Sequence, residues 1–189
     1  MFQLLYSYIH PFVQFNDREK KIFESAFTFR QVPKKFKLIE VGDVAREFYF
    51  VNKGLLRLYY EKDGEEIAAF FFREGLFAGS YDSFLRQQPG IQALDALEDA
   101  DLLVLTKERL EELYTVLPVM NVLTRKISEQ RFINSQLILS SFILDSPEER
   151  YRKFEMTNKD LLQRVPQHMI ASFLGITPVS LSRIRKRIL

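Results

Sequence analysis

The hydrophobic pattern of this chain changes its period twice, and that limits what it can fold into. Between Phe36 and Leu105 the apolar residues fall in short runs, broken by turn residues at roughly ten-residue intervals. Phe36–Val41 ends at Gly42-Asp43, and Phe48–Val51 ends at Asn52-Lys53-Gly54. Leu55–Tyr60 leads to Asp63-Gly64, a pair that favours a tight hairpin. Glu65–Phe72 precedes Gly75, and Ile91–Leu97 and Asp101–Leu105 close the series. Short strands with glycine turns predict a sandwich or barrel. On both sides the period is helical: Phe2, Leu5, Tyr6 and Ile9, then Ile22, Phe23, Ala26 and Phe27, and again from Lys107 onward. The expected class is α+β.

Residues 118–145 predict one long helix. Pro118 suits its first turn, and the next proline is Pro147. Met120, Leu123, Ile127, Gln130, Asn134, Leu137, Ser141 and Leu144 step by alternating three and four, a heptad-like seam with polar interruptions. A second stripe, Val122, Ile133, Ile138 and Phe142, offers another packing face. A helix with two stripes between two folded parts points to a homodimer through this helix. The expected organisation is a barrel domain with flanking helices at 1–117, a linker and dimerisation helix at 118–146, and a third unit at 147–189.

Composition removes several functions. With no Cys there is no disulfide, no thiolate-held iron–sulfur cluster, no Cys zinc site and no cysteine nucleophile. His10 and His168 are the only histidines, too few for a multi-histidine metal centre, and His10 lies outside the expected barrel, so haem ligation is not expected either. Ser83, Asp82, Glu65 and Glu66 show no triad or paired-carboxylate spacing, so an enzyme, such as a cupin-barrel one, is not expected. Apolar runs such as Ile67–Phe72 and Leu137–Leu144 fall far short of the roughly 18 residues of a membrane span. The first cation of the N-terminus is Arg18, unlike a signal peptide, so a cytoplasmic protein is expected. The net charge of +2 conceals an asymmetry: residues 147–189 hold nine Lys or Arg against four Asp or Glu, and the rest is slightly acidic. A basic end suits an anionic partner.

That end carries the most specific motif. From Gln167 to Lys186, Ile170 and Leu174 mark the inner face of a first helix and Ala171 is small where two helices cross. Gly175 can take the positive φ of a sharp turn, and Ile176 fills its corner. Thr177 can cap a second helix, with Pro178 at its first position and Leu181, Ile184 and Ile188 on its buried side. The opposite side presents Val179, Ser182, Arg183 and Lys186, flanked by Ser180 and Arg187. Short side chains and Arg can reach base edges, and the other cations can engage phosphates, as a major-groove helix requires. The pattern predicts a helix-turn-helix on double-stranded DNA, with Thr177, Val179, Ser180, Ser182, Arg183, Lys186 and Arg187 at the interface. His168 falls on the first helix, at the surface or towards phosphate.

The order helix, barrel, long helix, helix-turn-helix resembles the Crp/Fnr superfamily of transcription regulators. Glu40-Val-Gly-Asp43, Phe48-Tyr-Phe-Val-Asn-Lys-Gly54, Arg73-Glu-Gly-Leu-Phe-Ala-Gly79 and Ala96-Leu-Glu-Asp-Ala-Asp101 are similar to that family's barrel turns and cassette borders. Ile170–Arg183 is similar to its helix-turn-helix. The resemblance implies a cyclic-nucleotide-binding-like jelly roll, dimerisation through the long helix, DNA binding and RNA polymerase as a partner. It also sets an expectation for the effector pocket. Family members that bind cyclic nucleotides carry a Glu after the cassette glycine and an Arg-Ser pair further on. Here Ser80 follows Gly79, Gly90-Ile91 stands where the pair would be, and the nearest Arg is Arg86. Gly79, Ser80, Arg86 and, from the long helix, Arg125 are the candidate effector residues, and weak or no cyclic-nucleotide binding is expected. The sequence ends directly after the recognition helix, so the family's wing strands are not expected. The competing reading is a sensor module of the same shape acting through a protein partner rather than DNA.

Overall fold

The strands pair as one long hairpin rolled onto itself. In the computed structural model, which describes residues 1–188, the order is α1 (Gln3–Ile9), α2 (Asp17–Ser25), β1 (Thr28–Val32), β2 (Lys37–Ile39), β3 (Glu47–Lys53), β4 (Leu56–Lys62), β5 (Glu65–Phe72), β6 (Phe77–Ala78), α3 (Tyr81–Arg86), β7 (Gln92–Ala96), β8 (Ala100–Thr106), α4 (Lys107–Val116), α5 (Val119–Leu144), α6 (Pro147–Thr157), α7 (Leu161–Arg164), α8 (Gln167–Phe173) and α9 (Pro178–Ile188). β1 pairs with β8, β2 with β7, β3 with β6 and β4 with β5, all antiparallel. Two four-stranded sheets result, β1-β8-β3-β6 and β2-β7-β4-β5, which is the jelly-roll order. The α+β class and jelly roll expected from the sequence are present. β1, β6 and α3 are additional: β6 and α3 are too short to set up a readable period, and β1 buries only Val32, so no alternation shows. α6 and α7, ahead of the helix-turn-helix, are also additional.

Each sheet is covered on its outer face by a different set of helices. On the first sheet, Tyr8 of α1 packs on Phe50 and Phe77, with ring centroids 6.1 and 5.8 Å apart. Phe48, Leu103 and Leu105 share that face by register with Phe50. The Asn16/Glu19 capping box starts α2 and sets Phe23 against Phe15 and Phe27. On the second sheet, Leu55, Ala68, Phe71 and Leu97 join one apolar cluster with α6 to α9. Phe173 of α8 lies between Phe71 and Phe154, 5.5 Å from each. The N–H of Ala68, on the edge strand β5, donates to Ser172 Oγ at 3.1 Å, so α8 covers an edge that would otherwise be open. Arg164 of α7 reaches both Glu74 and Glu98 with contacts of 2.6 to 2.9 Å, and Arg73 meets Asp160 at 2.7 Å.

α5 corrects the expected seam. Met120 and Leu123 are buried in their own chain, and Ile127 packs against the same core. Further along, the apolar side chains left in solvent are Phe132, Ile133, Leu137, Leu139, Phe142, Ile143 and Leu144. At about 100° per residue, Phe132, Gln136, Leu139 and Ile143 form the centre of that outward stripe. The expected seam therefore starts on the barrel and drifts onto the solvent side, and the outward stripe runs in a different register. Among the described residues, no helix is long and apolar enough to cross a membrane.

Candidate nucleic-acid interface and effector cassette

The helix-turn-helix is assembled by local chemistry. Ile170, Ala171 and Leu174 are buried, and Ala171 is fully covered where α8 and α9 meet. The turn is closed by the N–H of Gly175 on Ser172 O and the N–H of Ile176 on Ala171 O, both at 3.0 Å. Gly175 has φ +65°, and a Cβ there would fall 2.7 Å from the Phe142 ring. Only glycine lets the turn rest on α5. Thr177 Oγ1 accepts the Ser180 N–H at 3.1 Å and so caps α9, which Pro178 begins. Leu181 and Ile184 face inward.

The outward side of α9 is a single stripe. Val179 is 60% exposed, and Ser182, Arg183 and Lys186 are exposed beside it. Thr177 is exposed at the cap, Ser180 is half-buried, and Arg187 is exposed with a loose 3.8 Å contact to Glu148. Side chains of this kind on the N-terminal half of a second helix can enter a major groove while the cations meet phosphates. His168 is exposed on α8. Sequence reasoning missed Arg150. Its Nε donates to Leu174 O at 3.0 Å, its Nη1 to Asp145 O at 2.8 Å, and its guanidinium lies 5.1 Å from the Phe142 ring centroid. It ties the end of α5 to the end of α8.

The cassette between β6 and β7 is tied up by its own side chains. Ser80 is buried, and its Oγ donates to Gln92 Oε1 at 2.9 Å, while Gln92 Nε2 donates to Tyr60 OH at 2.7 Å. Buried Ser83 donates to Gln88 O at 2.6 Å and accepts the Ala45 N–H at 2.9 Å. Gly79 lets Phe48 close in: a Cβ there would be 2.6 Å from its ring. Gly79 and Ser80 are thus brought together in the cassette. Arg86 stands at the surface instead, held by Gln88 at 2.7 Å and Asp82 at 3.5 Å. Arg125 is exposed on α5 and paired with Glu129 at 2.6 Å.

The guanidinium turned toward this region is Arg131, which the sequence did not single out. It lies 4.7 Å from the Tyr81 ring centroid, with Phe48 and Phe72 at 5.9 and 5.8 Å, and Nη1 donates to Phe77 O at 3.1 Å. Burial pushes its pKa below the ordinary arginine value against the pull of the tyrosine hydroxyls. The Tyr81 hydroxyl and Ser128 Oγ are hydrogen-bonded alongside. Among the described residues, no three His, Asp or Glu side chains gather as metal ligands.

Comparison with known proteins gives first a class of domain. Residues 29–115 match the family model of the cyclic nucleotide-binding domain. Solved structures extend the likeness over nearly the whole chain. The catabolite activator protein of Thermus thermophilus is 23% identical, covers 94% of this chain and 85% of its own, and superposes with a TM-score of 0.60. FixK2 of Bradyrhizobium japonicum is 16% identical, covers 86% and 84%, and has a TM-score of 0.75. A protein of Eubacterium rectale described as a transcriptional regulator of the Crp/Fnr family is 17% identical, covers 92% and 83%, and has a TM-score of 0.70. Compared by sequence with curated proteins, the chain has no significant match. Residues 29–115 are thus similar to a cyclic nucleotide-binding domain, and the chain shares its fold, from barrel to helix-turn-helix, with solved structures of Crp/Fnr-type regulators.

Proposed function

We propose that this chain is a sequence-specific DNA-binding transcription regulator acting as a two-fold dimer, with α9 of each protomer in a major groove. The observation that carries the reading is the outward stripe of α9: Val179, Ser182, Arg183 and Lys186 exposed on a helix whose other side is locked into the fold. The basic C-terminal segment adds the charge that phosphates require. The apolar side chains left outward on the distal half of α5 supply a face for a second copy, and palindromic sites suit paired recognition helices. Contact with RNA polymerase belongs to the same reading, which involves binding and no catalysis. Selection of bound DNA from a random pool tests it. A two-fold symmetric site whose affinity falls steeply with salt is expected; binding indifferent to sequence, or none, would refute it.

The effector domain lacks the usual cyclic-nucleotide contacts in this reading. Ser80 is committed to Gln92, and Arg86 to Gln88 and Asp82. Cyclic AMP is expected to bind weakly or not at all in a calorimetric titration, and a micromolar dissociation constant would overturn that.

A further inference from the structure

We infer that the chain binds a small apolar carboxylate in a cavity on the helix-covered face of the first sheet, with Arg131 holding the carboxylate. The cavity measures about 280 Å³. Its walls come from every neighbouring layer: Phe23 of α2, Phe48 and Leu105 of the sheet, Phe84 of α3, Leu110 of α4 and Leu123 of α5. The polar groups gather on α5, where Asn121, Thr124, Arg125, Ser128 and Arg131 line one side, Arg125 being exposed and already paired with Glu129. A largely apolar cleft with a few convergent polar groups is the usual form of a small-molecule site.

The ligand class follows from how Arg131 is held. Arg150 gives its guanidinium to two backbone carbonyls, and three other partly buried arginines sit on carboxylates: Arg30 on Glu47 at 2.7 Å, Arg57 on Asp95 at 2.6 Å, and Arg164 on Glu74 and Glu98. Arg131 has three aromatic rings and one carbonyl oxygen instead. A desolvated guanidinium without an anion is costly, and its remaining N–H groups match the two oxygens of a carboxylate. The apolar walls give a hydrocarbon or phenyl tail its burial and offer little to the hydroxyls of a ribose. The cavity lies against the helix of the cassette, whose Tyr81 and Phe84 line it, whereas Ser80 and Gln92 are bonded to each other.

This deepens the regulator reading by naming an effector class, and rests on that reading only for the consequence of binding. Calorimetry on the full chain with octanoate, and with 1-octanol as its uncharged counterpart, tests it. A single octanoate site is expected, with 1-octanol at least about tenfold weaker. Arg131→Met should cost octanoate the same factor and leave 1-octanol unchanged. Thr124→Leu, which fills the cavity and keeps Arg131, should remove both. The wild-type comparison of acid and alcohol decides the matter even where Arg131→Met fails to fold. Equal binding of acid and alcohol, no octanoate binding, or displacement of octanoate by cyclic AMP would each overturn the proposal. A DNA-binding assay on the same preparation separates the two readings. Octanoate bound without DNA binding counts against the regulator alone, and DNA bound without octanoate counts against this site alone.

Discussion

The two halves of α5 form one unbroken helix in two different environments. Up to Arg131 the helix belongs to its own barrel, with Leu123 only 1% exposed. Beyond it, Phe132 and Ile143 are 66% and 70% exposed, and much of the apolar surface has no neighbour within the chain. The comparison teaches what a heptad-like spacing can and cannot say. An α-helix drifts about 20° per heptad against a 3.5-residue repeat. Over the three heptads from Met120 to Ser141 the drift is roughly 60°, enough to carry a stripe from the barrel to solvent. Spacing shows that a stripe is apolar, and only the tertiary fold shows which surface it meets.

Substitutions of one kind in the two halves should have opposite consequences, and the largest effect is in the first. Leu123→Asp places a charge among Met120, Phe23 and the barrel core with nothing to pair it. It should cost at least about 4 kcal/mol and prevent cooperative folding, read by circular dichroism and thermal melting. Leu139→Glu with Ile143→Glu should leave the melting of each protomer's barrel nearly unchanged. It should abolish association by putting like charges opposite their own copies, a penalty of about 3–5 kcal/mol. Sedimentation at micromolar concentration should then fall from twice 22.4 kDa to 22.4 kDa. Unchanged mass in the double variant would mean that the outward stripe is not the dimer contact.

The distal half also supports the helix-turn-helix, since Gly175 rests on Phe142. Arg183→Ala should cost about 1–3 kcal/mol and relax preference at one base of each half-site. Lys186→Ala or Arg187→Ala should weaken binding to all sequences alike and lower the salt slope by about one unit. A specificity profile across a salt series distinguishes them. Uniform weakening by Arg183→Ala would reassign that side chain to phosphate.

How much of this the sequence discloses depends on how local the cause is. The hairpin at Asp63-Gly64, the cap at Thr177 and the turn at Gly175 are set by neighbours in the chain, and all three are readable. α9 runs from Pro178 to Ile188 as expected. β6, α3 and the four-residue α7 are too short for a period to emerge. The effector region is the least legible. Arg86 is close to Ser80 in sequence yet turns to solvent, whereas Arg131 matters only because Phe48, Phe72 and Tyr81 converge on it from other strands and helices. No spacing rule connects those four residues.

The smallest effect concerns how the C-terminal helices stay on the barrel. Glu74 sits in the turn after β5, where it receives Arg164 and the N–H of Gly54. Burial raises its pKa, but the hydrogen bonds from Arg164 and from backbone N–H groups outweigh that and hold it below the ordinary value of 4.5. A carboxylate with a lowered folded-state pKa contributes its stability in full above the unfolded value. That contribution is lost as pH falls through the folded one. Glu74→Gln should therefore destabilise the docking of α7 at neutral pH. The pair is partly open to solvent, so the cost should stay below about 1 kcal/mol. The difference between wild type and variant should shrink from pH 4.5 downward and vanish once Glu74 is protonated. The distal half of α5 should not respond, because its outward stripe carries no titrating partner of Glu74. Denaturant melts of both proteins from pH 7 to pH 3 provide the measurement, and a difference that persists unchanged to pH 3 would show that the Arg164 contact is not ionic in origin.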